Sequence, residues 1–205
     1  MGQYFSNEDL KSNIQKYNVD ILGHRYSFYT DNGVFSKDKL DFGTRVLLEN
    51  LPLSVLHGKI LDVGCGYGVI DIILGKIVDA KFLGVDVNRR ALHLAEMNKK
   101  ENKLENVSFL ESSCYENVDG KFDFIITNPP IRAGKKIVYE IVMGAKDYLE
   151  QNGSLFIVVR KEQGAKSMIR DLEEIYKVEV INKIKGFFVI KCNLDWLIAQ
   201  SVLII

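Results

Sequence analysis

The spacing of apolar and polar positions changes character along this chain. From about residue 59 onward, short β-rich apolar runs take turns with stretches of helical periodicity. "KILDV" (59–63) reads as a strand, followed by a glycine loop and a helix from Ile70 to Val78. "KFLGVD" (81–86) is the next strand, and Asn88 to Asn102 the next helix. "VSFLE" (107–111) and "FDFIIT" (122–127) are two more strands. From Gly134, residues Val138, Ile141, Val142, Ala145 and Leu149 recur at helical spacing, and Asn152-Gly153 is expected to close that helix. "SLFIVV" (154–159) is a fifth strand, and a helix runs from Gln163 to Ile175. Two β-rich segments, 177–183 and 186–192, are joined through "NKIKG" as an antiparallel hairpin on the sheet edge. Strands that alternate with helices and are apolar on both faces predict an α/β fold with a parallel sheet covered on both sides.

The first 55 residues have a different pattern. "VDILGHRYSFYTDNGVFS" alternates as a hairpin does and contains Asp31-Asn32-Gly33, a strong turn signal. "SKDKLDFGTRVLLENL" (36–51) reads as a capped helix. Residues 1–55 are therefore expected to form an extension packed on a core of residues 56–205.

Composition narrows the function classes. The 205 residues are 47% apolar and 26% charged, suiting one globular domain with a substantial core. Lys plus Arg balance Asp plus Glu, 27 against 27, so any basic surface must come from local clustering. The three cysteines, Cys65, Cys114 and Cys192, show no C-x-x-C spacing, which argues against a zinc site or disulfide framework and for a reducing cytoplasm. No metal is expected, and His24, His57 and His93 are scattered. "MGQYFSNEDLK" lacks the pattern of a secretory signal. The apolar tail "WLIAQSVLII" is about half the ~20 residues of a membrane span, so no membrane partner is expected.

"ILDVGCGYGVI" (60–70) leaves a strand and opens a helix, with glycines at 64, 66 and 68. Glycines there allow a tight turn and close approach of backbone to a ligand. Asp86 ends the next strand 20 residues beyond Gly66, where a carboxylate reaches ribose hydroxyls. Two cofactors compete. A dinucleotide loop usually reads G-x-G-x-x-G, one residue longer, with a helix N-terminus aimed at pyrophosphate. Asp62 would be unfavourable near pyrophosphate and favourable near the ammonium or sulfonium of S-adenosylmethionine.

"FDFIITNPPIRAGKK" (122–136) places Asn128 and two prolines at the tip of an apolar strand. That tip falls beside the cofactor loop at the switch point of an open α/β sheet. Prolines fix the backbone so that the Asn128 amide oxygen and a main-chain carbonyl converge. Two acceptors without a base suit gripping an exocyclic amine by its N–H bonds, localising its lone pair toward an electrophile. A plain Asn-Pro turn at a strand end is the competing reading.

With these motifs the chain resembles the class I S-adenosylmethionine-dependent methyltransferases, in the amino-methylating group marked by N-P-P and a variable residue. "DNGVFSKDKLDFGTRVLLENL", "ILDVGCGYG", "NPPIRAGK" and "EQGAKS" together resemble the short single-domain form of the ribosomal small-subunit RNA guanine N2-methyltransferase family. The resemblance spans roughly residues 30 to 192. It implies a Rossmann-like, doubly wound, seven-stranded sheet, mostly parallel with an antiparallel C-terminal edge hairpin. It implies cofactor contacts from Asp62, Gly64, Cys65, Gly66 and Gly68, from Asp86 and Val87, from Ser112 and Ser113, and from Asn128. Asn128 and Pro129 would be catalytic, with Pro130, Ile131, Arg132, Lys135 and Phe35 meeting substrate. Ile131 stands where adenine- and glutamine-modifying relatives usually carry an aromatic, which weighs against adenine N6 chemistry. Ser113 stands where relatives tend to carry an aspartate; its hydroxyl still suits the cofactor adenine amine.

The expected partner is ribosomal RNA or the small ribosomal subunit, met by a monomer or weak homodimer. Arg132, Lys135 and Lys136 would meet phosphates. Lys37 and Lys39, with Phe35 and Tyr29, would form an opposite wall, although core packing under the hairpin competes for the two aromatics. Arg160, Lys161, Lys166 and Arg170 would add a second patch. The alternatives are transfer to a protein glutamine amide or small-molecule amine, a NAD-dependent oxidoreductase, or a nucleotide-binding module.

Overall fold

The computed structural model describes residues 10–194. The apolar tail from 196 onward lies outside the described residues. A two-stranded hairpin, β1 (Gln15–Ile21) and β2 (His24–Thr30), comes first, followed by α1 (Phe42–Asn50). The sheet is then built from β3 (Gly58–Val63), β4 (Ala80–Asp86), β5 (Val107–Glu111), β6 (Phe122–Thr127), β7 (Leu149–Arg160), β8 (Tyr176–Ile184) and β9 (Phe187–Leu194). Its helices are α2 (Val69–Ile77), α3 (Arg89–Glu101), α4 (Lys135–Gly144) and α5 (Ala165–Leu172).

The sheet has the seven strands expected, in the order β5-β4-β3-β6-β7-β9-β8. Pairings from β5 to β7 are parallel, and those of β9 with β7 and β8 are antiparallel. Strand order reverses between β3 and β6, so the carboxyl ends of these two strands open a crevice. Leu47, Ile73 and Leu94 from α1, α2 and α3 cover one face together with Tyr26 and Phe28 of the hairpin. Val138, Val142, Met168 and Leu172 from α4 and α5 cover the other. Helices on both faces explain why β6 is buried at five of its six positions.

Four local expectations are corrected. The hairpin turns at Leu22-Gly23, with Ile21 opposite His24 and φ of 50° and 77° at the two turn residues. Two left-handed residues match strand twist in a two-residue loop, and Gly23 supplies one of them freely. Asp31-Asn32-Gly33 instead leads out of β2, where Asp31 accepts from Ser12, Asn13 and Asn32. The helix read over 36–51 starts only at Phe42, because Asp41 caps it through the Thr44 N–H. Asn152-Gly153 does not end a helix. α4 ends at Gly144, and Leu149 to Gly153 belong to β7, which shifts register against Phe122 and Phe124. The helix read over 163–175 contracts to α5, preceded by a 3-10 turn at Lys161–Gln163.

The hairpin is tied to the core by side-chain amides. Asn98 of α3 accepts from Tyr29 N and donates to Tyr29 O and Tyr67 O, and Asn88 donates to Gly33 O. Tyr67, in the glycine loop, is buried and donates to Ser36 O. The N-terminal segment thus leans directly on the loop expected to hold the cofactor.

Candidate active site

The loop after β3 is shaped by three glycines, Gly64, Gly66 and Gly68, with φ of 81°, 56° and 83°. Gly68 caps α2 in the left-handed region, and a Cβ there would lie 2.7 Å from Phe109 Cζ, so only glycine fits. Gly64 N and Cys65 N both donate to Val85 O, at 2.8 and 3.0 Å, lashing the loop to β4. The Asp86 carboxylate receives Gly66 N at 2.8 Å on one oxygen and Asn88 N at 2.9 Å on the other. Burial pushes Asp86 above the ordinary carboxylate value, against the pull of these backbone donors. Its remaining lone pairs suit a vicinal diol. Cys65 is buried and its thiol held well above its usual value, chiefly by burial, so it is no nucleophile.

Asp62 in β3 and Asp71 in α2 are buried against each other, and their four oxygens meet no donor but a proton held between the two carboxyls. Asp71 fits because β4 carries Gly84, whose Cβ would lie 2.8 Å from Asp71 Oδ2. Burial raises both carboxyls, and for Asp62 the neighbouring Asp71 and Asp86 add to the rise. A buried acidic pair at the end of β3 is compensated by a cationic cofactor end, which S-adenosylmethionine has and a pyrophosphate does not. The folded protein also holds protons here that the unfolded chain releases. Stability therefore falls as pH climbs from the ordinary carboxylate range toward the raised folded values. Asp71→Asn, whose amide donates to Asp62, is expected to be more stable at pH 8 by about 1–2 kcal/mol, or ~3–6 °C. That gain should shrink toward pH 5 in thermal melts. A constant difference across pH would contradict this account.

At the end of β6, Thr127 Oγ1 donates to Val63 O at 2.7 Å, joining the two central strand tips. The Asn-Pro-Pro corner therefore abuts the glycine loop: a Cβ on Gly64 would lie 3.5 Å from Pro130 Cδ. Pro129 is buried. Asn128 is half-buried, and its Nδ2 donates to Asp41 Oδ2 at 3.1 Å and Thr44 Oγ1 at 2.9 Å. A 3-10 turn, Ile131–Ala133, follows, with Ile131 packed against the apolar cluster under α4. Arg132, Lys135 and Lys136 are exposed, and Lys135 Nζ sits 4.6 Å from the Tyr139 ring centre.

The structure thus brings Asp62, Gly64, Cys65, Gly66, Gly68, Asp86 and Asn128 to one end of the sheet. Val87 is half-buried beside Asp86. Ser112 is buried and works within its own turn, donating to Cys114 O and accepting from Asn117 N. The exposed Ser113 borders a cavity of about 400 Å³ with Tyr115, Glu116 and Glu140. Phe35 is 52% exposed, not packed under the hairpin. Tyr29 is corrected as a stacking wall: its hydroxyl meets Glu101 and Lys16 lies over its ring, at the far end of α3. Arg160 and Arg170 pair with Glu162 and Asp171, which weakens the second basic patch. Among the described residues no histidine, cysteine and carboxylate cluster could hold a metal, and no helix is long and apolar enough to cross a membrane. Sequence reasoning missed Asp41, Thr44 and Asp71. Only Asp71 left a signal, a lone carboxylate inside the apolar run "VIDIIL".

Fold and site together define an S-adenosylmethionine-dependent methyltransferase. The chain belongs to the methyltransferase small domain family, whose model matches residues 25–191. It is 41% identical over 199 residues to the Bacillus subtilis protein YbxB, covering 94% of this chain and 99% of that one. To ribosomal RNA small subunit methyltransferase C of Haemophilus influenzae (strain PittEE) it is 36% identical over 155 residues, covering 73% of this chain and 46% of the relative. A solved T. thermophilus 16S rRNA N2 methyltransferase, RsmC, in complex with AdoMet and guanosine, superposes with a TM-score of 0.81 at 26% identity. That match covers 91% of this chain and 52% of the other. The chain therefore spans about half the length of these rRNA methyltransferases.

Proposed function

We propose that the protein methylates the exocyclic N2 amine of a guanine in small-subunit ribosomal RNA. The observation that carries this reading is the corner at Asn128, set beside the glycine loop where a Cβ on Gly64 would lie 3.5 Å from Pro130 Cδ. S-adenosylmethionine, when bound, supplies an electrophilic sulfonium methyl. Asp86 would hold the ribose hydroxyls and Asp62 would balance the amino-acid ammonium. Asn128 Oδ1 and the Pro129 carbonyl would accept the two amine N–H bonds, turning a lone pair delocalised into the base toward the methyl group. No base is needed before transfer, because the proton is lost only from the alkylated, acidic nitrogen. Ile131 offers no aromatic face for an adenine sandwich. The base would enter unstacked, while Arg132, Lys135 and Lys136 meet flanking phosphates.

The likeness to ribosomal RNA methyltransferases supports the choice of substrate. Incubating the protein with labelled cofactor and small subunits or 16S rRNA, then digesting to nucleosides, tests it. N2-methylguanosine is expected. Label in N6-methyladenosine, or in ribosomal protein alone, would overturn the guanine assignment.

A further inference from the structure

The end of the Asn128 amide that faces the target decides whether it can accept an amine hydrogen. We infer that Asp41 and Thr44, at the start of α1, fix that end and are positioning residues for methyl transfer. The inference rests on the amine-gripping reading of Asn128 given above.

Asp41 Oδ2 collects three donors: Thr44 N at 2.9 Å, Asn128 Nδ2 at 3.1 Å and Thr44 Oγ1 at 3.3 Å. A carboxylate only accepts. Because the Thr44 hydroxyl proton is directed at Asp41, its oxygen is left to accept Asn128 Nδ2 at 2.9 Å. Every proton in the triangle therefore runs toward Asp41. Rotating the amide by half a turn would set Oδ1 about where Nδ2 now lies, 3.1 Å from an Asp41 oxygen that only accepts. Thr44 could donate to it only by giving up its own hydrogen bond to Asp41. Thr44 is buried, so water does not readily replace it. The flipped amide is disfavoured, and Oδ1 is the end left for substrate. An unlocked asparagine would present its NH2 part of the time, which repels an amine hydrogen. The negative charge behind Nδ2 also polarises the amide and strengthens Oδ1 as an acceptor. The N-terminal extension thereby reaches the reacting corner across 87 residues of sequence.

Helix capping alone could explain Asp41, so the test uses a variant that keeps the cap. Asparagine caps helices about as well as aspartate, but it can turn an NH2 toward Asn128. Asp41→Asn is expected to lower kcat at least ~10-fold. Cofactor affinity, measured by calorimetry, and melting temperature should stay close to the wild type. Thr44→Val should fall similarly, and Thr44→Ser should restore most of the loss. A second arm needs no activity: the Asn128 side-chain amide, assigned in ¹⁵N spectra by its disappearance in Asn128→Asp, should exchange slowly in the wild type and faster in Asp41→Asn. Wild-type kcat in Asp41→Asn, or equal amide exchange in the two proteins, overturns the inference. If the wild type methylates no ribosomal RNA, the proposed substrate fails and the exchange arm alone decides the positioning.

Discussion

Asn128→Ala is expected to lower methyl transfer by about 10²–10³-fold, the scale seen when one preorganised hydrogen-bonding group is removed from a reacting centre. The substitution removes the amide and leaves the corner standing. A residue before proline is confined to extended backbone whatever its side chain, and Pro129 and Pro130 are untouched. Pro130 would still rest against the glycine loop. The Pro129 carbonyl would still accept one amine hydrogen, so a residual rate should remain. Cofactor affinity should change little, since the carboxylates at β3 and β4 are elsewhere. The loss should fall on kcat rather than on RNA KM, because the acceptor matters most as the nitrogen becomes tetrahedral. Single-turnover rates with labelled cofactor would measure it. Asn128→Asp should be no better: it would set a second carboxylate within reach of Asp41 and reverse the hydrogen-bond polarity there. Wild-type single-turnover rates in Asn128→Ala would remove the amide from the reaction.

What could be read from the sequence depended on whether its cause was local. β3, β4 and β6 were legible because central parallel strands leave no polar face, and each run ends in residues that punctuate it: Gly64, Asp86 and Asn128. The ends of α3 were legible because Asn88 caps it and Asn102 closes it. Where a signal had two readings, packing chose between them. Asn152-Gly153 resembles a helix stop, yet Phe122 N bonds Tyr148 O and Leu149 pairs with Phe122, which pulls this segment into β7. Asp31-Asn32-Gly33 resembles a hairpin tip, but Leu22-Gly23 turned first and left Asp31 as an anchor near Arg90. The contact between Asp41 and Asn128 had no local trace. "DFGT" looks like an ordinary helix cap, and only the superposition of α1 on the β6 tip gives it a second task. Asp71 was hidden for a related reason, since apolar periodicity placed its helix but not the carboxylate facing it from β3.

Replacing Asp86 by alanine should weaken S-adenosylmethionine binding by ~10²-fold. Each oxygen of this carboxylate already takes one backbone donor, from Gly66 and Asn88, which fixes its plane at the end of β4. A diol would find both oxygens oriented in advance, at no further cost in side-chain freedom. Two hydrogen bonds to a charged acceptor contribute about 1.5–3 kcal/mol each. Part of that is returned when water solvates the freed hydroxyls, leaving a net loss of about 3 kcal/mol, equivalent to ~10²-fold in affinity. Alanine would also orphan the Gly66 N–H and loosen the loop, which adds to the loss. Asp86→Asn separates the two effects: it keeps one acceptor oxygen without the charge, and an affinity about tenfold below the wild type is expected. Calorimetric titration at saturating and limiting cofactor would measure both variants, with kcat at saturation staying near the wild-type value. Binding should also weaken as pH falls through the raised Asp86 value, because a protonated carboxyl is a poorer acceptor. An unchanged dissociation constant in Asp86→Ala would remove this residue from cofactor recognition and leave it only as the strap between loop and helix.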